Sequence, residues 1–125
     1  MLSDLQRLIP VISAMLESHE SDIKMSALDT LKLILKEDPK IIEEHISGFV
    51  PKVVAMSFVN EGNSVRVRVA ALEFLRDLAK KGRTEVLYPV RGKLVKALEK
   101  TLADTKRIVR KQAAETRLQW YLLSG

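Results

Sequence analysis

One short pattern occurs three times in this sequence, and the distance between its copies constrains the fold more than any other feature. In each copy an aliphatic residue is followed by a basic residue, two variable positions and an alanine. The three alanines, Ala27, Ala71 and Ala113, are 44 and 42 residues apart. Internal similarity at such a period is typical of solenoids, in which stacked copies of one supersecondary unit share a continuous core.

The period also predicts what each unit contains. About 40–47 residues is the length of HEAT and armadillo units, which consist of helices. An alanine suits the pattern because two paired helices approach closely where they cross. We therefore predict an all-α protein, a right-handed α-solenoid of three two-helix HEAT-type repeats. The repeats are expected at about residues 1–38, 39–81 and 82–125 of a single domain.

Each copy of the pattern is expected on the second helix of a pair, after polar residues that can cap its N-terminus. These second helices are predicted to begin near Ser21, Val65 and Thr105. The apolar spacing predicts the first helices at about residues 4–18, 42–59 and 89–102. Breaks between repeats are expected at Pro39, Gly82 and Pro89. Pro10 and Pro51 fall inside first-helix patterns and are expected to bend or open those helices.

The middle second helix, residues 65–81, is apolar over most of its circumference, which predicts that it is buried on several sides. Arg68 is the exception, because it lies among Val67, Ala71 and Leu75. We expect its guanidinium to reach a carboxylate, or free carbonyl groups at the end of a neighbouring helix.

Composition and charge exclude several classes of function. The 125 residues include no cysteine, which excludes disulfides, thiolate nucleophiles and thiolate metal sites. No apolar run approaches the ~20 residues of a membrane span, and an intracellular address is expected. The formal net charge of +5 is unevenly distributed: residues 1–46 carry nine acidic and five basic side chains, residues 82–125 four acidic and ten basic ones. The basic third is expected to attract an acidic partner.

The last second helix carries a basic stripe. Lys106, Arg110, Arg117 and Tyr121 lie within about 60° of arc, and Arg107 and Lys111 extend the positive surface. The core side of the same helix is predicted to consist of Ile108, Val109, Ala113, Thr116, Trp120 and Leu123, with Trp120 as the core anchor. The stripe has two interpretations: a solvated cap that ends a solenoid, or a binding surface for an acidic protein or a nucleic-acid backbone.

No arrangement of reactive residues is evident in the sequence. His19 and His45 lie in different repeats, and Glu43-Glu44 is interpreted as an acidic helix start that favours the helix dipole. No nucleophile is paired with a base, and no Gly-rich phosphate-binding pattern is present. We therefore predict that the chain is not an enzyme and holds neither a cofactor nor a metal.

The last two repeats resemble a known family. The residues that carry the resemblance are Leu102 to Ala113, Arg117 and Trp120-Tyr121-Leu122-Leu123, preceded by Val67 to Leu72 and Tyr88-Pro89. They are similar to the C-terminus of the Mms-nineteen family, the large HEAT-repeat targeting factors of cytosolic iron–sulfur cluster assembly. The resemblance covers about residues 40–123 and is most specific in the last twenty. It implies that the chain is the C-terminal part of a longer solenoid.

The resemblance also implies a function. Members of the family work in the cytoplasm and nucleus with a small adaptor subunit and a WD-repeat propeller subunit, which dock on their C-terminal repeats. The complex delivers clusters to apo iron–sulfur proteins of DNA metabolism, so this chain would serve those clients indirectly. Without cysteine it cannot itself hold a cluster through thiolates. We hypothesise that the adaptor binds Arg66, Lys106, Arg107, Arg110, Lys111, Arg117 and Tyr121.

Two alternatives stay open at this point. The basic third could bind nucleic acid directly, although no aromatic platform is evident and the stripe offers only about four to six phosphate contacts. The chain could also be a HEAT scaffold of an unrelated transport or chromosome pathway. Neither a membrane nor a small-molecule substrate is expected as a partner.

Overall fold

The computed structural model describes residues 4–124 of the chain, apart from the side chain of Asn60. These residues are helical without any strand, and the predicted all-α solenoid class is confirmed. The α-helices are α1 (Asp4–Arg7), α2 (Ile9–Met15), α3 (Ser21–Glu37), α4 (Pro39–Glu44), α5 (Ile46–Met56), α6 (Val65–Lys81), α7 (Thr84–Ala97) and α8 (Arg107–Tyr121). Two 3-10 segments lie at Val59–Glu61 and Leu98–Ala103.

The helices pack in chain order as a stack of hairpins. Helix α2 packs against α3, α5 packs against α6, and α7 with the 3-10 segment 98–103 packs against α8. The second helices α3, α6 and α8 also lie side by side, with α6 in the middle. One apolar core therefore runs through the stack, from Ile9 in α2 to Trp120 in α8. The number of HEAT repeats, their boundaries and the right-handed sense stay predictions.

Helix α6 forms with the predicted bounds. The Ser64 hydroxyl accepts a hydrogen bond from the Val67 amide at 3.2 Å, which satisfies one of the free N–H groups of the first turn. The helix ends before Gly82, where a Cβ atom would lie 2.9 Å from Leu87 Cδ1 and 3.0 Å from the carbonyl oxygen of Leu78. A larger residue at this break would require a shift of the Leu87 side chain or of the Leu78 carbonyl.

The predicted side-chain caps of the other two second helices are wrong. Their N-cap residues are Glu20 and Lys106, and neither side chain caps its helix. The carboxylate of Asp104 accepts a hydrogen bond from the Lys106 amide at 2.9 Å instead, and this bond shapes the turn before α8. Helix α8 therefore begins at Arg107, two residues later than Thr105.

The first helix is interrupted in both the first and the second hairpin, but the prolines are not the only cause. The segment predicted as a helix over 42–59 is divided at His45 into α4 and α5, and Pro51 lies inside α5 without ending it. The first segment is broken at Leu8, and Pro10 occupies the first turn of α2. A proline costs little there because the first-turn N–H groups have no intrahelical partner.

Helix α7 begins at Thr84, five residues before its predicted start, so Pro89 lies inside it rather than at a break. The residue before α7, Arg83, is bonded to Glu43, whose side chain is only 4% exposed. Its carboxylate oxygens accept hydrogen bonds from the Arg83 amide and from Arg83 Nε, both at 2.8 Å. The side-chain hydrogen bond and the charge of the same carboxylate raise the pKa of Arg83. Glu43 lies in the last turn of α4, so its interpretation as a helix start is wrong.

Buried polar side chains connect consecutive hairpins. Lys24 Nζ donates to Asn63 Oδ1 at 2.6 Å, and Arg68 Nη2 donates to Asp104 Oδ1 at 3.2 Å. Arg68 Nε also lies 3.0 Å from Asp104 Oδ2, outside hydrogen-bond geometry, and Arg68 Nη1 donates to the carbonyl of Asn63 at 2.6 Å. Arg68 thus reaches the carboxylate predicted from the sequence, whereas the carbonyl that it bonds belongs to the turn before its own helix and not to the end of a neighbouring helix. We call Lys24, Asn63, Arg68 and Asp104 the polar ladder.

Two side chains of α8 donate hydrogen bonds to the backbone of α6. The fully buried Trp120 donates through Nε1 to the carbonyl of Leu75 at 2.9 Å, and Thr116 Oγ1 donates to the carbonyl of Leu72 at 2.8 Å. A buried indole N–H requires such an acceptor. Trp120 is therefore a core residue, as predicted. Ile108, in contrast, is 59% exposed, and its predicted place in the core is wrong.

Replacement of Asp104 by alanine is expected to lower the free energy of unfolding by about 3–5 kcal/mol, because Arg68 would stay buried without its carboxylate. Urea denaturation measures the change. Asp77→Ala is the matched control, since Asp77 pairs with Arg76 closer to solvent and its loss should cost less than about 1 kcal/mol. Equal losses in the two variants would contradict the role assigned to the ladder.

Truncation of Trp120 separates the contribution of its ring from that of its N–H group. Trp120→Ala is expected to cost about 3–5 kcal/mol, because it leaves a cavity in the core. Trp120→Phe retains an aromatic ring but removes the hydrogen bond from Nε1 to the carbonyl of Leu75, whose loss should cost about 0.5–1.5 kcal/mol. Thermal unfolding of both variants measures the difference, and an alanine variant that melts like wild type would refute the core assignment.

Candidate functional site

The three second helices can be compared position by position, because Lys24, Arg68 and Arg110 occupy the same place in the repeated pattern. The positions four, seven and eleven residues after these cations are buried in the first two helices: Leu28, Leu31 and Leu35 in α3, and Leu72, Leu75 and Ala79 in α6. The α6 residues lie beside the following hairpin, since side chains of α8 bond to the carbonyls of Leu72 and Leu75.

In α8 the equivalent positions are Ala114, Arg117 and Tyr121. Ala114 and Tyr121 are exposed and Arg117 is half-buried, because no further hairpin follows in the described residues. Together with Arg107 and Arg110 these residues lie within about 80° of the helix circumference, at 100° per residue. We call the five residues the end face. The basic stripe predicted from the sequence thus occupies the surface on which a further hairpin would pack.

Arg110 is equivalent to Arg68 but has only part of its set of partners. Its Nη1 donates to the carbonyl of Asp104 at 2.8 Å, just as Arg68 Nη1 donates to the carbonyl of Asn63. Arg68 also pairs with a carboxylate of the next hairpin, whereas Arg110 forms no ion pair within residues 4–124. Because a guanidinium has five N–H donors, Arg110 retains donors for a carboxylate from outside the chain.

Arg117 is held by bonds within the protein. Its Nε donates to the carbonyl of Val95 at 3.0 Å, and its Nη2 lies 3.4 Å from Glu99 Oε1. The Arg117 guanidinium carbon is also 5.3 Å from the centre of the Tyr121 ring, within the range of a cation–π contact. Arg117 is therefore less available to a partner than Arg110, although both belong to the predicted stripe.

Arg91 belongs to the same cluster and was not among the predicted residues. Its Nε and Nη2 donate to the carbonyls of Trp120 and Tyr121 at 3.0 and 3.2 Å, which satisfies acceptors at the C-terminus of α8. Its guanidinium carbon lies 5.3 Å from the Tyr121 ring centre and 5.8 Å from that of Tyr88. The only sequence signal is the spacing of Tyr88 and Arg91, three residues apart on a helix that had been predicted to begin at Pro89.

The other predicted site residues fall into two groups. Lys106, Arg107 and Lys111 are exposed and lie around Arg110 at the start of α8. Arg66 is exposed on α6 at the position equivalent to Ile108, which is about 160° from Arg110 around its helix. By this register Arg66 lies on a different side of the stack from the end face.

An exposed apolar stripe lies beside the end face, and the sequence prediction missed it. Ile108, Leu118 and Leu122 are 59%, 54% and 66% exposed and fall within about 80° of arc on α8. The equivalent positions in α6 are all basic: Arg66, Arg76 and Lys80. Large apolar side chains exposed together are typical of interaction surfaces. We call these three residues the apolar flank.

The part of the chain that the structure describes contains no arrangement suited to metal binding. No three His, Asp or Glu side chains of residues 4–124 are grouped to hold a metal ion. None of the described helices is long and apolar enough to cross a membrane. The ring of His45 lies 6.0 Å from that of Phe49, beside the helix break that it marks.

Comparison with known proteins identifies similar sequences over the full length of the chain. A family model for the MMS19 C-terminal region, described as RNAPII transcription regulator C-terminal, matches residues 1–79. The MMS19 nucleotide excision repair protein homologs of Mus musculus and Homo sapiens are 34% and 32% identical over 125 residues, all of this chain and 12% of each relative. The MMS19 DNA repair/transcription protein of Saccharomyces cerevisiae is 33% identical over 116 residues, 93% of this chain and 11% of that protein.

These matches confirm the predicted resemblance and extend it. The sequence prediction placed the resemblance at about residues 40–123, whereas the family model covers the N-terminal part and the relatives align with the whole chain. The chain spans about one-eighth of the length of the curated relatives that it matches.

Replacement of Arg91 by alanine is expected to lower the free energy of unfolding by about 2 kcal/mol, because two charged hydrogen bonds to the end of α8 and two ring contacts are lost. Lys93→Ala, on an exposed position of the same helix, is the control and should change stability by less than about 0.5 kcal/mol. Urea denaturation compares them. A similar result for both variants would show that the cluster does not hold α7 against α8.

Proposed function

Because the chain belongs to the MMS19 C-terminal family, we propose that it is a non-catalytic docking domain of the cytosolic iron–sulfur assembly targeting complex. The proposed partners are the small adaptor subunit and the WD-repeat propeller subunit, with apo iron–sulfur proteins as indirect clients. Relatives are named for nucleotide excision repair and for DNA repair and transcription, which agrees with clients in DNA metabolism. The cytoplasm and nucleus are the proposed compartments.

The observation that carries this proposal is that Arg110, unlike its equivalents Lys24 and Arg68, has no side-chain partner in the described part of the chain. Inside the stack, Lys24 reaches Asn63 and Arg68 reaches Asp104, each in the following hairpin. Arg110 occupies the position equivalent to Arg68 and donates a similar bond to a backbone carbonyl, but it pairs with no carboxylate of the described residues. A partner protein that presents an Asp or Glu side chain here would satisfy Arg110 as Asp104 satisfies Arg68. A guanidinium pairs with carboxylates and with phosphates, and within the stack Arg68 pairs with a carboxylate.

The cluster around Tyr121 supports a specific contact rather than a diffuse charge. The Tyr121 ring is half-exposed, and the guanidinium carbons of Arg91 and Arg117 each lie 5.3 Å from its centre. Tyrosine and arginine are enriched among the residues that dominate binding energy. A ring already held in place loses little conformational entropy when a partner covers it, which favours affinity.

The apolar flank favours a protein over a nucleic acid as the partner. A phosphate backbone would gain from the cations of the end face but not from Ile108, Leu118 and Leu122, which are exposed beside them. Protein interfaces combine an apolar centre with arginine, tyrosine and a polar rim. Direct nucleic-acid binding is therefore the second candidate, and an unrelated HEAT scaffold has no observation in its favour.

A binding experiment with the purified adaptor subunit tests the proposal. Arg110→Glu combined with Lys111→Glu reverses two exposed charges and spares the internal bonds of Arg117. This variant is expected to bind the adaptor at least about tenfold more weakly than wild type. Lys36→Glu, on an exposed position of α3, is the matched control and should bind like wild type. Thermal melts of all three proteins verify that they are folded.

The same experiment separates the alternatives. Failure of the wild-type chain to bind the adaptor at micromolar concentration would overturn the proposed docking role. Binding of mixed-sequence DNA that weakens steeply between low and physiological salt, without adaptor binding, would support the nucleic-acid function instead.

A further inference from the structure

A second surface, separate from the end face, lies between the first helices of neighbouring hairpins. Helices α5 and α7 leave an open groove of about 470 Å³ between them. Its apolar lining includes Val50, Val54 and Phe58 on one side and Val90, Leu94 and Ala97 on the other. Phe58, Val90 and Ala97 are only half-buried, so solvent reaches the apolar lining. The volume is within the range of sites that take apolar ligand groups.

The groove and the end face lie on different sides of α7. Val95, whose carbonyl accepts the hydrogen bond of Arg117, is about 140–160° around the helix from Val90 and Ala97. A longer stack would add hairpins beside α3 or beside α8, so it would leave this groove uncovered. The groove therefore needs an occupant of its own if its apolar lining is to be buried.

The charged residues that line the groove are both lysines. Lys93 and Lys100 are exposed and are the only charged residues of its lining in the described part of the chain. Lys100 Nζ lies 5.2 Å from the centre of the Phe58 ring, at the end of the groove that follows α5. The complementary ligand is therefore apolar on one side and carries carboxylates beside its apolar side chains.

We propose that this groove binds a short amphipathic helix of a partner protein, with acidic residues flanking its apolar face. Helix α5 has 11 residues and spans about 16 Å, so about three turns of a bound helix would match it. Apolar side chains at positions i, i+3 or i+4, and i+7 would fill the groove, as in other helix-in-groove complexes. Carboxylates next to them would pair with Lys93 and Lys100.

A second copy of this chain fits the groove poorly. The only acidic residue of α8, Glu115, already pairs with Arg76 of α6 at 3.6 Å. The exposed apolar residues of α8, Ile108, Leu118 and Leu122, lie next to the cations Arg107 and Lys111. These cations would lie close to Lys93 and Lys100 if α8 of one copy entered the groove of another. Like charges brought together in an interface disfavour association.

Two designed helical peptides of about 14 residues test the proposal with the intact chain. One has leucines at i, i+4 and i+7 flanked by glutamates, and the other replaces each glutamate by lysine. The acidic peptide is expected to bind at least about tenfold more tightly. Amide shifts in ¹H–¹⁵N spectra should be confined to residues 46–58 and 90–100. Lys93→Glu with Lys100→Glu should reverse the preference, whereas Lys80→Glu with Lys81→Glu, outside the groove, should not.

Three outcomes would overturn the proposal. Equal binding of both peptides would show that the lysines do not select the ligand, and shifts on α8 alone would assign the peptide to the end face. Dimerisation of the wild-type chain in sedimentation, abolished by Ala97→Glu, would assign the groove to a second copy. Because adaptor binding is measured on α8 variants, failure of this proposal leaves the docking role of the end face unaffected.

Discussion

The ion pair between Arg68 and Asp104 lies between the second and third hairpins, where the two side chains are only 6% and 2% exposed. Asp104 accepts hydrogen bonds from Arg68 and from the Lys106 amide, so one carboxylate sets both the start of α8 and its position along α6. The hydrogen bonds of Thr116 and Trp120 to α6 depend on that position. Burial of two charges is costly, and we infer that the pair specifies the register of stacking more than it adds net stability.

Between the first two hairpins, the residue that corresponds to Asp104 is an amide, Asn63. Asn63 accepts from Lys24 and donates through Nδ2 to the carbonyls of Ala55 and Phe58, both at 3.0 Å, which a carboxylate could not do. The side chain at position 104 is surrounded only by donors, the Arg68 guanidinium and the Lys106 amide, so a carboxylate can accept from both. Arg110 has no carboxylate partner within residues 4–124. The pair that joins the second and third hairpins therefore indicates that a partner at the end face would present a carboxylate to Arg110.

Much of the fold follows from local sequence signals, and the errors follow from contacts between distant residues. The bounds of α6, the break at Gly82 and the carboxylate partner of Arg68 were predictable, because a capping residue, a glycine and a charge among apolar residues are each visible in the sequence. The bonds between Arg83, the residue before α7, and Glu43 were not predictable, since the two residues are forty positions apart. Ile108 was misplaced because its apolar side chain suggested burial, although the equivalent position in α6, Arg66, is exposed as well.

The sequence by itself determined the period, the all-α class, the family of the chain and the basic character of its last helix, because these are properties of residue type and spacing. The tertiary structure alone decided which of those basic residues are available. Arg110 and Arg117 are the same residue type and lie on one stripe. Arg117, however, is bonded to Val95 in α7 and to Glu99 in the 3-10 segment, whereas Arg110 retains free donors. That difference, like the groove between α5 and α7, arises from how separate helices pack, and spacing within one helix does not encode it.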